Sequence, residues 1–309
     1  MTDTILITGT DGFIGSYLKE FFVENDYKVI GTTFMKEPAE NEVKIDFREK
    51  REFEKLPKSN YPTIINTVGI VDQTASKKTI MKINARGTKY ICEWALNHNC
   101  QHFIFISSVS AYGIKLLGEN RSEENTKRNR GIFGIPYMKS KAKAERYVER
   151  SGLNYTILRL PPVLGKADTY LSPSIIPNLL DGTFYYCGNQ DHKYSTLYIK
   201  NLGPILKKII ENRPSCDIFN CTDFQITWRE LIKEYANILN INILEQNKPL
   251  LSIIRNFHDK QYLLMILFSR FGCHYPNEKL KNKYNINPIY SWKEGVKEAV
   301  DNYLLEILK

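Results

Sequence analysis

Short runs rich in β-branched and aromatic residues alternate with longer amphipathic stretches over the first half of the chain. The strand-like runs are Thr4–Thr8, Lys28–Thr33, Thr63–Val68, Phe103–Ser107 and Tyr155–Leu158. Apolar residues recur at helical spacing in Phe13–Glu24, Lys78–Asn97 and Tyr137–Arg150. This alternation is typical of βαβ units, whose parallel strands form a sheet with helices on both faces. The pattern predicts a doubly wound α/β fold.

The pattern changes after Gly165, where prolines interrupt shorter elements. They occur in the pairs Ser172-Pro173, Ile176-Pro177, Gly203-Pro204 and Arg213-Pro214. We therefore predict a main domain over residues 1–165 and a smaller substrate-binding lobe over residues 166–309, some of whose elements return to the main sheet.

Two helices of the second half are predicted from their first residues. Thr227 is a suitable N-cap for a helix that runs to Leu239, and Glu230 completes the spacing of a capping box. Ser291 is a suitable N-cap for a helix near the end of the chain, with Glu294 at the same spacing.

The charge and cysteine content narrow the class of protein. The 309 residues include 43 Lys+Arg and 34 Asp+Glu, a formal charge of +9, but the basic residues are scattered, so we predict no nucleic-acid partner. The six cysteines form no C-x-x-C pair and have no histidine at zinc-finger spacing. This favours reduced thiols, no metal site and a cytoplasmic protein. The first residues lead directly into a strand-like run and do not resemble a secretory signal.

One apolar segment, Leu250–Phe271, bears on membrane association. Arg255, His258, Asp259 and Lys260 interrupt it, so the segment is too polar for a membrane span. We interpret it as a helix whose apolar face covers the substrate site. An interfacial membrane helix is the alternative.

A glycine-rich loop follows the first strand and leads into the first helix. It reads Thr8-Gly9-Thr10-Asp11-Gly12-Phe13-Ile14-Gly15. Small residues allow the backbone to turn sharply and to approach a pyrophosphate, whose charge the free N–H groups of the helix stabilise. This strand–turn–helix arrangement predicts a Rossmann dinucleotide site, with contacts from Gly9, Gly12, Phe13, Ile14 and Gly15.

The end of the second strand predicts which dinucleotide binds. In this fold an acidic residue there binds the 2′-hydroxyl of NAD. The chain instead has Thr33 at this point, followed closely by Lys36. Because no carboxylate in this stretch opposes a 2′-phosphate and a cation is near, the sequence favours NADP(H), with NAD(H) as the alternative.

A third group of residues predicts catalysis. Ser108 follows the fourth strand-like run, and Tyr137 and Lys141 lie four positions apart in the next helix, so they share a face. The pKa of a free tyrosine is about 10, and a nearby cation lowers it by roughly one to three units. Lys141, helped by an oxidised nicotinamide ring, would therefore activate Tyr137 for proton transfer. Ser108 would hydrogen-bond the substrate oxygen.

Together these residues resemble the extended short-chain dehydrogenase/reductase superfamily, also called the NAD-dependent epimerase/dehydratase family. The likeness covers nearly the whole chain and is looser in the second half. It is carried by the Thr8–Gly15 loop, Asp46-Phe47, Asn66–Gly69, Asn84–Thr88, Ser107-Ser108, the Tyr137/Lys141 pair with Glu145, Arg159–Gly165, Tyr198–Asn201, Phe219-Asn220 and Asn287–Gly295.

The resemblance implies roles that spacing alone does not give. Asp46 and Phe47 are expected to contact adenine, and Asn84 is expected to brace the site. The other cofactor contacts that the resemblance implies are Val68 in the cleft, Pro161–Val163 beside the nicotinamide, and Lys141 on the nicotinamide ribose.

Departures from the family pattern narrow the reaction. Dehydratases of this family have Asp-Glu directly after the catalytic hydroxyl residue, whereas this chain has Val109 and Ser110, so dehydration is disfavoured. The Leu160–Val163 stretch and the Leu250–Phe271 segment are more similar to the reductase and hydroxysteroid-dehydrogenase branch.

Two further departures concern sugar-nucleotide epimerases. Many of them have an asparagine where this chain has Pro162, and an arginine that contacts the diphosphate near the position of Tyr194. Here His192 and Lys193 are the basic residues beside that second position.

The segment Ile114–Ile135 lies between Ser108 and Tyr137 in the chain and must therefore pass close to the site. Its charged residues include Glu119, Arg121, Glu123, Glu124, Lys127, Arg128 and Arg130. A mixed run of this kind favours a solvated loop. A basic lid that binds an anionic substrate is the alternative.

We interpret the chain as an NAD(P)-dependent oxidoreductase that interconverts a secondary alcohol and a ketone on a small-molecule substrate. A sugar-nucleotide 4-epimerase or 4-ketoreductase is the alternative enzyme, and a non-catalytic dinucleotide sensor is a further alternative. The resemblance also implies a homodimer formed through Lys78–Asn97 and Tyr137–Arg150.

Overall fold

The computed structural model describes residues 4–71, 75–129, 135–212, 216–243, 247–248, 267 and 270–308. Its strands are β1 (Thr4–Thr8), β2 (Lys28–Thr33), β3 (Glu42–Lys44), β4 (Thr63–Asn66), β5 (His102–Ser108), β6 (Tyr155–Leu160), β7 (Val163–Leu164), β8 (Lys193–Tyr198), β9 (Asp217–Asn220) and β10 (Phe224–Thr227). Seven of them form one sheet in the order β3-β2-β1-β4-β5-β6-β9. All six pairings in this sheet are parallel. The predicted doubly wound α/β fold is confirmed.

The helices lie on both faces of this sheet and in a second layer beyond its end. They are α1 (Phe13–Glu24), α2 (Lys77–Ile80), α3 (Thr88–Asn97), α4 (Pro136–Glu149), α5 (Ser172–Leu180), α6 (Ile199–Glu211), α7 (Trp228–Leu239), α8 (Glu278–Tyr284) and α9 (Trp292–Ile307). Short 3₁₀ segments occupy Lys50–Lys55 and Val109–Leu116. Strand order reverses between β1 and β4, which is where ligands bind in open sheets of this kind.

The predicted helix Lys78–Asn97 is interrupted in the structure. A π-helical stretch, Met81–Gly87, separates α2 from α3. At its end, the Thr88 hydroxyl donates to the carbonyl of Asn84 at 2.7 Å. Such wider turns are rare inside helices and often occur at functional sites. Apolar periodicity does not predict such a wider turn, because one additional residue still leaves the apolar residues on one face of the helix.

The two predicted caps are present. The Thr227 hydroxyl accepts from the Glu230 amide, and the Glu230 carboxylate accepts from the Thr227 amide, so α7 begins with a complete capping box. The Ser291 hydroxyl accepts from the Lys293 amide at the start of α9, one residue before the predicted Glu294 position.

Three buried apolar clusters hold the molecule together. One packs α1 and α6 against the main sheet, and a second packs α3 and α4 against its opposite face. The third joins α5, α7 and α9 around Tyr194 and Trp228. The small sheet β10-β8-β7 borders this third cluster. Together, the small sheet and the third cluster form a separate layer at the carboxyl edge of the main sheet.

The second half of the chain contributes to both layers. Strand β9 pairs with β6 in the main sheet. Helix α6 packs on α1, where the Tyr17 hydroxyl donates to the Lys200 carbonyl at 2.9 Å. The division of the chain at Gly165 stays a prediction.

The predicted Leu250–Phe271 helix falls mostly outside the described residues. Among the helices that are described, none combines the length and apolar character needed to cross a bilayer.

Candidate active site

The glycine-rich loop connects β1 to α1 with almost no space between them. Gly9 has a φ of +73°, a conformation that favours glycine. A Cβ on Gly15 would lie 2.0 Å from the Gly9 carbonyl oxygen, so only glycine allows the helix to approach the strand this closely. Gly12 is the N-cap of α1, and no side chain caps the free amides of that helix. These features fit a bound pyrophosphate, which needs close backbone approach and unpaired N–H groups.

A cleft of about 1140 Å³, including its open mouth, runs along the carboxyl edge of the sheet from this loop. Phe13, Ile14 and Val163 line one part of it. Ser108, Tyr137 and Lys141 line another part, and Pro161 and Pro162 contribute as well. The fold therefore brings the predicted catalytic residues and several predicted cofactor contacts into one cleft.

Ser108, Tyr137 and Lys141 define what we call the β5 end of the site. The Ser108 hydroxyl oxygen accepts from the Ser110 amide at 3.1 Å, which leaves its own proton available for another acceptor. Burial raises the pKa of Tyr137 to about 12, although its hydrogen bond with Ser108 acts in the opposite direction. The expected lowering of this pKa by Lys141 is not found in the protein alone.

The Lys141 ammonium has a different partner from the one expected. It donates to the Ile106 carbonyl at 3.0 Å, inside the site wall formed by β5. A Cβ on Gly69 would lie 3.0 Å from the ammonium, so Gly69 provides the space that the lysine occupies. Burial lowers the pKa of Lys141 to about 8, and the charge of Glu145 opposes this shift. Lys141 therefore stays mainly protonated at neutral pH, by a smaller margin than an exposed lysine.

A buried ion-pair network lies directly behind Lys141. Glu145, on the same helix, is fully buried and accepts two hydrogen bonds from the Arg159 guanidinium on β6, at 3.0 and 2.8 Å. The Ser107 hydroxyl also donates to Glu145 at 2.6 Å. Burial would raise the pKa of Glu145, but Arg159 and Ser107 outweigh it and keep that pKa below its ordinary value. This network fixes α4 on the sheet.

Arg159 extends the network towards the second layer. Its guanidinium lies 4.4 Å from the centre of the Tyr112 ring, and the Tyr112 hydroxyl donates to Asn220 at 2.8 Å. The family resemblance included Arg159 and Asn220 as parts of separate motifs, with no partner for either. The hydrogen bond between Tyr112 and Asn220 joins residues 108 positions apart, so no local signal reveals it.

Over its described part, the segment between Ser108 and Tyr137 leaves some charges exposed, among them Glu124 and Lys127, as predicted for a solvated loop, but bonds others to the protein. Arg128 pairs with Glu145 at 3.3 Å and with Glu149 at 2.5 Å. Arg121 donates to the Leu117 carbonyl, and Glu123 accepts from the Asn220 amide. These charges therefore bind the protein itself. Arg130 lies outside the described residues.

Asn84 braces the loop that follows β4. Its side chain accepts from the Ile70 amide at 2.8 Å and donates to the Ile70 carbonyl and the Ser140 hydroxyl, both at 3.0 Å. The asparagine thus connects that loop to α4. Val68 belongs to the same loop and packs on the glycine-rich turn, because its side chain would be 3.0 Å from a Cβ on Gly9.

We call the other end of the site the β2 end. It consists of Thr33 and Asp46, near the ends of β2 and β3, and of Asp11, which contacts the end of β2 from the glycine-rich loop. Asp46 forms a bidentate pair with Arg48, which lowers the pKa of that carboxyl. Phe47 is buried against Phe53, with ring centres 4.9 Å apart, so only its backbone can face a ligand. The Thr33 hydroxyl is buried without a partner in the described part of the chain.

Asp11 lies at this end of the site, although the sequence analysis predicts no role for it. Its carboxylate accepts hydrogen bonds from backbone amides just after β2. The sequence prediction was based on β2 and the residues directly after it, which contain no carboxylate. In the folded chain, Asp11 brings a carboxylate to this region. A charged residue between Gly9 and Gly12, in a loop suited to an anion, was the available signal.

The residues named for epimerases have other neighbours. Tyr194 is buried in the third apolar cluster. His192 lies 3.3 Å from Glu119, and Lys193 is exposed. Val109, which replaces the acidic residue of dehydratases, is buried.

Comparisons with known proteins agree with this fold and cleft. Residues 5–222 match the NAD dependent epimerase/dehydratase family, so the chain belongs to that family and is an enzyme of the extended short-chain dehydrogenase/reductase type. It is 25% identical to a dTDP-D-glucose 4,6-dehydratase of Dictyostelium discoideum over 272 residues, which are 76% of this chain and 62% of the relative. It is 33% identical to a 3beta-hydroxysteroid dehydrogenase/Delta(5)-Delta(4) isomerase of Caenorhabditis elegans over 128 residues, which are 37% of this chain and 25% of the relative.

A solved structure shows the same fold. The UDP-glucose 4-epimerase of Thermotoga maritima, determined with UDP-glucose, has a TM-score of 0.77 and 20% identity, with 98% of this chain and 99% of the other covered. The matches to the two curated relatives span less than two thirds of the length of either relative.

Proposed function

We propose that the protein catalyses NAD(P)-dependent interconversion of a secondary alcohol and a ketone. The observation that carries this proposal is the single cleft that joins the glycine-rich loop to Ser108, Tyr137 and Lys141. The oxidised nicotinamide, when bound, supplies the hydride acceptor and a positive charge beside the tyrosine. All other roles belong to side chains of this chain.

In the proposed reaction the Tyr137 hydroxyl exchanges a proton with the substrate oxygen. The Ser108 hydroxyl, whose oxygen accepts from the Ser110 amide, donates its proton to the substrate oxygen and orients it. The Lys141 ammonium binds the nicotinamide ribose and places a cation near the phenol. Glu145 and Arg159 support it from behind by fixing the helix that carries both residues.

The lining of the cleft supports a substrate with an apolar body. Val109, Met138, Tyr170, Cys273 and Tyr275 lie on the side away from the glycine-rich loop. Asp168 also reaches the cleft, but its carboxylate accepts from three backbone amides at the start of α5. The similarity to a hydroxysteroid dehydrogenase points in the same direction.

A sugar-nucleotide 4-epimerase or 4-ketoreductase is the second candidate. It is favoured by the similarity to enzymes named for dTDP-glucose and UDP-glucose. The same oxidation at a secondary alcohol would begin that reaction. A thermal-shift series with NADH and either UDP-glucose, dTDP-glucose or a 3β-hydroxysteroid separates the candidates, because a bound substrate raises the melting temperature.

The decisive variant is Tyr137→Phe, with Tyr147→Phe on the same helix as its control. Removal of a general acid–base group costs roughly a hundredfold to ten-thousandfold in rate. We expect this loss of turnover in Tyr137→Phe, with NADH binding close to that of the wild type, and little change in Tyr147→Phe. Wild-type turnover in Tyr137→Phe would point to another catalytic group. NADH binding by the wild type without turnover of any substrate would favour a dinucleotide sensor.

The cytoplasmic location and the homodimer through α3 and α4 stay predictions. Helices α3 and α4 lie side by side in the described chain, which is compatible with a shared outer face. Size-exclusion chromatography with light scattering tests the dimer.

A further inference from the structure

The glycine-rich loop is hydrogen-bonded to the end of β2 and to the start of β3. The Thr10 amide donates to the Thr32 carbonyl at 2.9 Å, and the Gly9 amide donates to the Thr32 hydroxyl at 3.1 Å. The Thr10 hydroxyl is 2.7 Å from the Glu42 carboxylate at the start of β3. These bonds determine where the next residue, Asp11, must lie.

Asp11 is thereby placed against the backbone that leaves β2. Its Oδ2 accepts from the amides of Phe34 at 2.8 Å and Met35 at 2.6 Å, with the Lys36 amide at 3.4 Å. Consecutive amides that converge on one point form a binding site for an anion. Here the anion is supplied by the protein. Oδ1 of the same carboxylate has no hydrogen-bond partner in the described part of the chain.

We infer that Asp11 makes the site select NAD(H) over NADP(H), an inference that rests on the proposed function. In this fold the adenosine ribose lies across the end of the second strand, where a carboxylate binds its hydroxyls. Oδ1 of Asp11 can accept from those hydroxyls. A 2′-phosphate in the same place meets a fixed negative charge and finds the converging amides already bonded.

Neither Lys36 nor Arg48 offsets that charge. Lys36 has an exposed side chain, so water screens it. Arg48 lies over the Phe34 ring at 5.2 Å, but its guanidinium is paired with both oxygens of Asp46. The carboxylate of Asp11, by contrast, is held in place by hydrogen bonds from backbone amides.

The test measures dissociation constants of NADH and NADPH by fluorescence titration of the wild type, Asp11→Asn and Glu37→Gln. Asparagine keeps a carbonyl oxygen for the Phe34 and Met35 amides but removes the charge. Glu37 is the matched control, because it carries the same charge in the segment after β2 and pairs with Lys44 at the surface. Circular dichroism and the melting temperature establish that each variant is folded.

The wild type is expected to bind NADH at least about tenfold more tightly than NADPH, which corresponds to about 1.4 kcal/mol. Asp11→Asn is expected to reduce this ratio about tenfold, mainly by tighter NADPH binding, and Glu37→Gln is expected to leave it unchanged. The inference is overturned if the wild type prefers NADPH or if Asp11→Asn leaves the ratio as it was. If neither dinucleotide binds the wild type, the proposed function fails with it.

A second measurement needs no substitution. ADP-ribose and 2′-phospho-ADP-ribose compete with NADH for the wild-type site and differ only in the 2′-phosphate. The phosphorylated compound is expected to compete at least about tenfold more weakly. Equal competition would overturn the inference even if Asp11→Asn does not fold.

Discussion

The two ends of the site are held in place by different kinds of interaction. At the β5 end, Lys141 depends on the fully buried pair between Glu145 and Arg159. At the β2 end, Asp46 and Arg48 pair at the surface, and Asp11 is bonded to loop amides. A buried pair that loses one partner leaves an uncompensated charge, whereas an exposed pair loses little. Changes at the β5 end should therefore reach the whole fold, and changes at the β2 end should alter ligand preference alone.

The largest expected effect comes from Glu145→Ala. Removing this carboxylate leaves the buried Arg159 unpaired, so the free energy of unfolding should fall by about 3–5 kcal/mol. Urea denaturation followed by circular dichroism measures it. Glu149→Ala, which removes only the half-exposed partner of Arg128, should cost about 1 kcal/mol or less. Equal losses in the two variants would contradict the contrast between buried and exposed pairs on which the comparison of the two ends rests.

Gly12→Val tests the space between the two ends of the site, where the pyrophosphate is expected to bind. A Cβ on Gly12 would lie 3.4 Å from its nearest neighbour, the Gly9 carbonyl, so the folded chain accommodates it. The added bulk enters the space assigned to the pyrophosphate, and NADH affinity should fall at least about a hundredfold. Gly15→Val should in addition lower the melting temperature, because its Cβ would overlap Gly9. Normal NADH binding by Gly12→Val would show that the loop is only structural.

Lys141→Met should improve stability and impair binding at the same time. The folded pKa of about 8 lies below the value of about 10.4 for an unfolded chain, so folding disfavours the charged lysine. This cost is fully present below pH 8 and diminishes as pH rises from 8 to about 10. The variant should gain roughly 1–3 kcal/mol over the wild type at pH 7 and less at pH 10. Its NADH affinity should fall at both pH values, which titration alongside thermal melts at each pH would check.

The smallest expected effect is that of Arg48→Ala. This pair with Asp46 is exposed, so its removal should change the free energy of unfolding by less than about 1 kcal/mol. NADH affinity should change by no more than about threefold, since the Asp46 carboxylate remains. Urea denaturation and fluorescence titration measure the two quantities. A loss as large as that of Glu145→Ala would remove the distinction between the ends.

Much of the fold follows from patterns that are local in the chain. The α1 bounds, Phe13–Glu24, agree with the apolar periodicity, as do the first two strands. The capping box at Thr227 was visible because its two residues are three positions apart. The ends of two other strands differ from the prediction. β4 stops at Asn66 rather than Val68, and β6 continues to Leu160 rather than Leu158. Both strands are buried on both faces, so no alternation of apolar and polar residues marks their ends.

The site was predictable where its residues belong to one strand–turn–helix unit. The glycine-rich loop and the Tyr137/Lys141 spacing are of this kind. The pKa of Tyr137 was not, because burial outweighs the expected effect of Lys141 and depends on every neighbour of the ring. The partners of Arg128 and Glu123, in the charged segment after Ser108, were not predictable for a related reason, since Glu149 and Asn220 come much later in the chain.

The sequence by itself determined the doubly wound sheet, the cofactor loop and the family, because each depends on residue types at short, fixed spacings. Only the tertiary structure decided which charges meet. Asp11 bonds to the Phe34 amide, 23 positions later in the chain, and Glu145 on α4 pairs with Arg159 on β6. A hydrogen bond or ion pair requires a few ångströms in space rather than any particular separation along the chain. Its presence therefore depends on how the strands and helices pack.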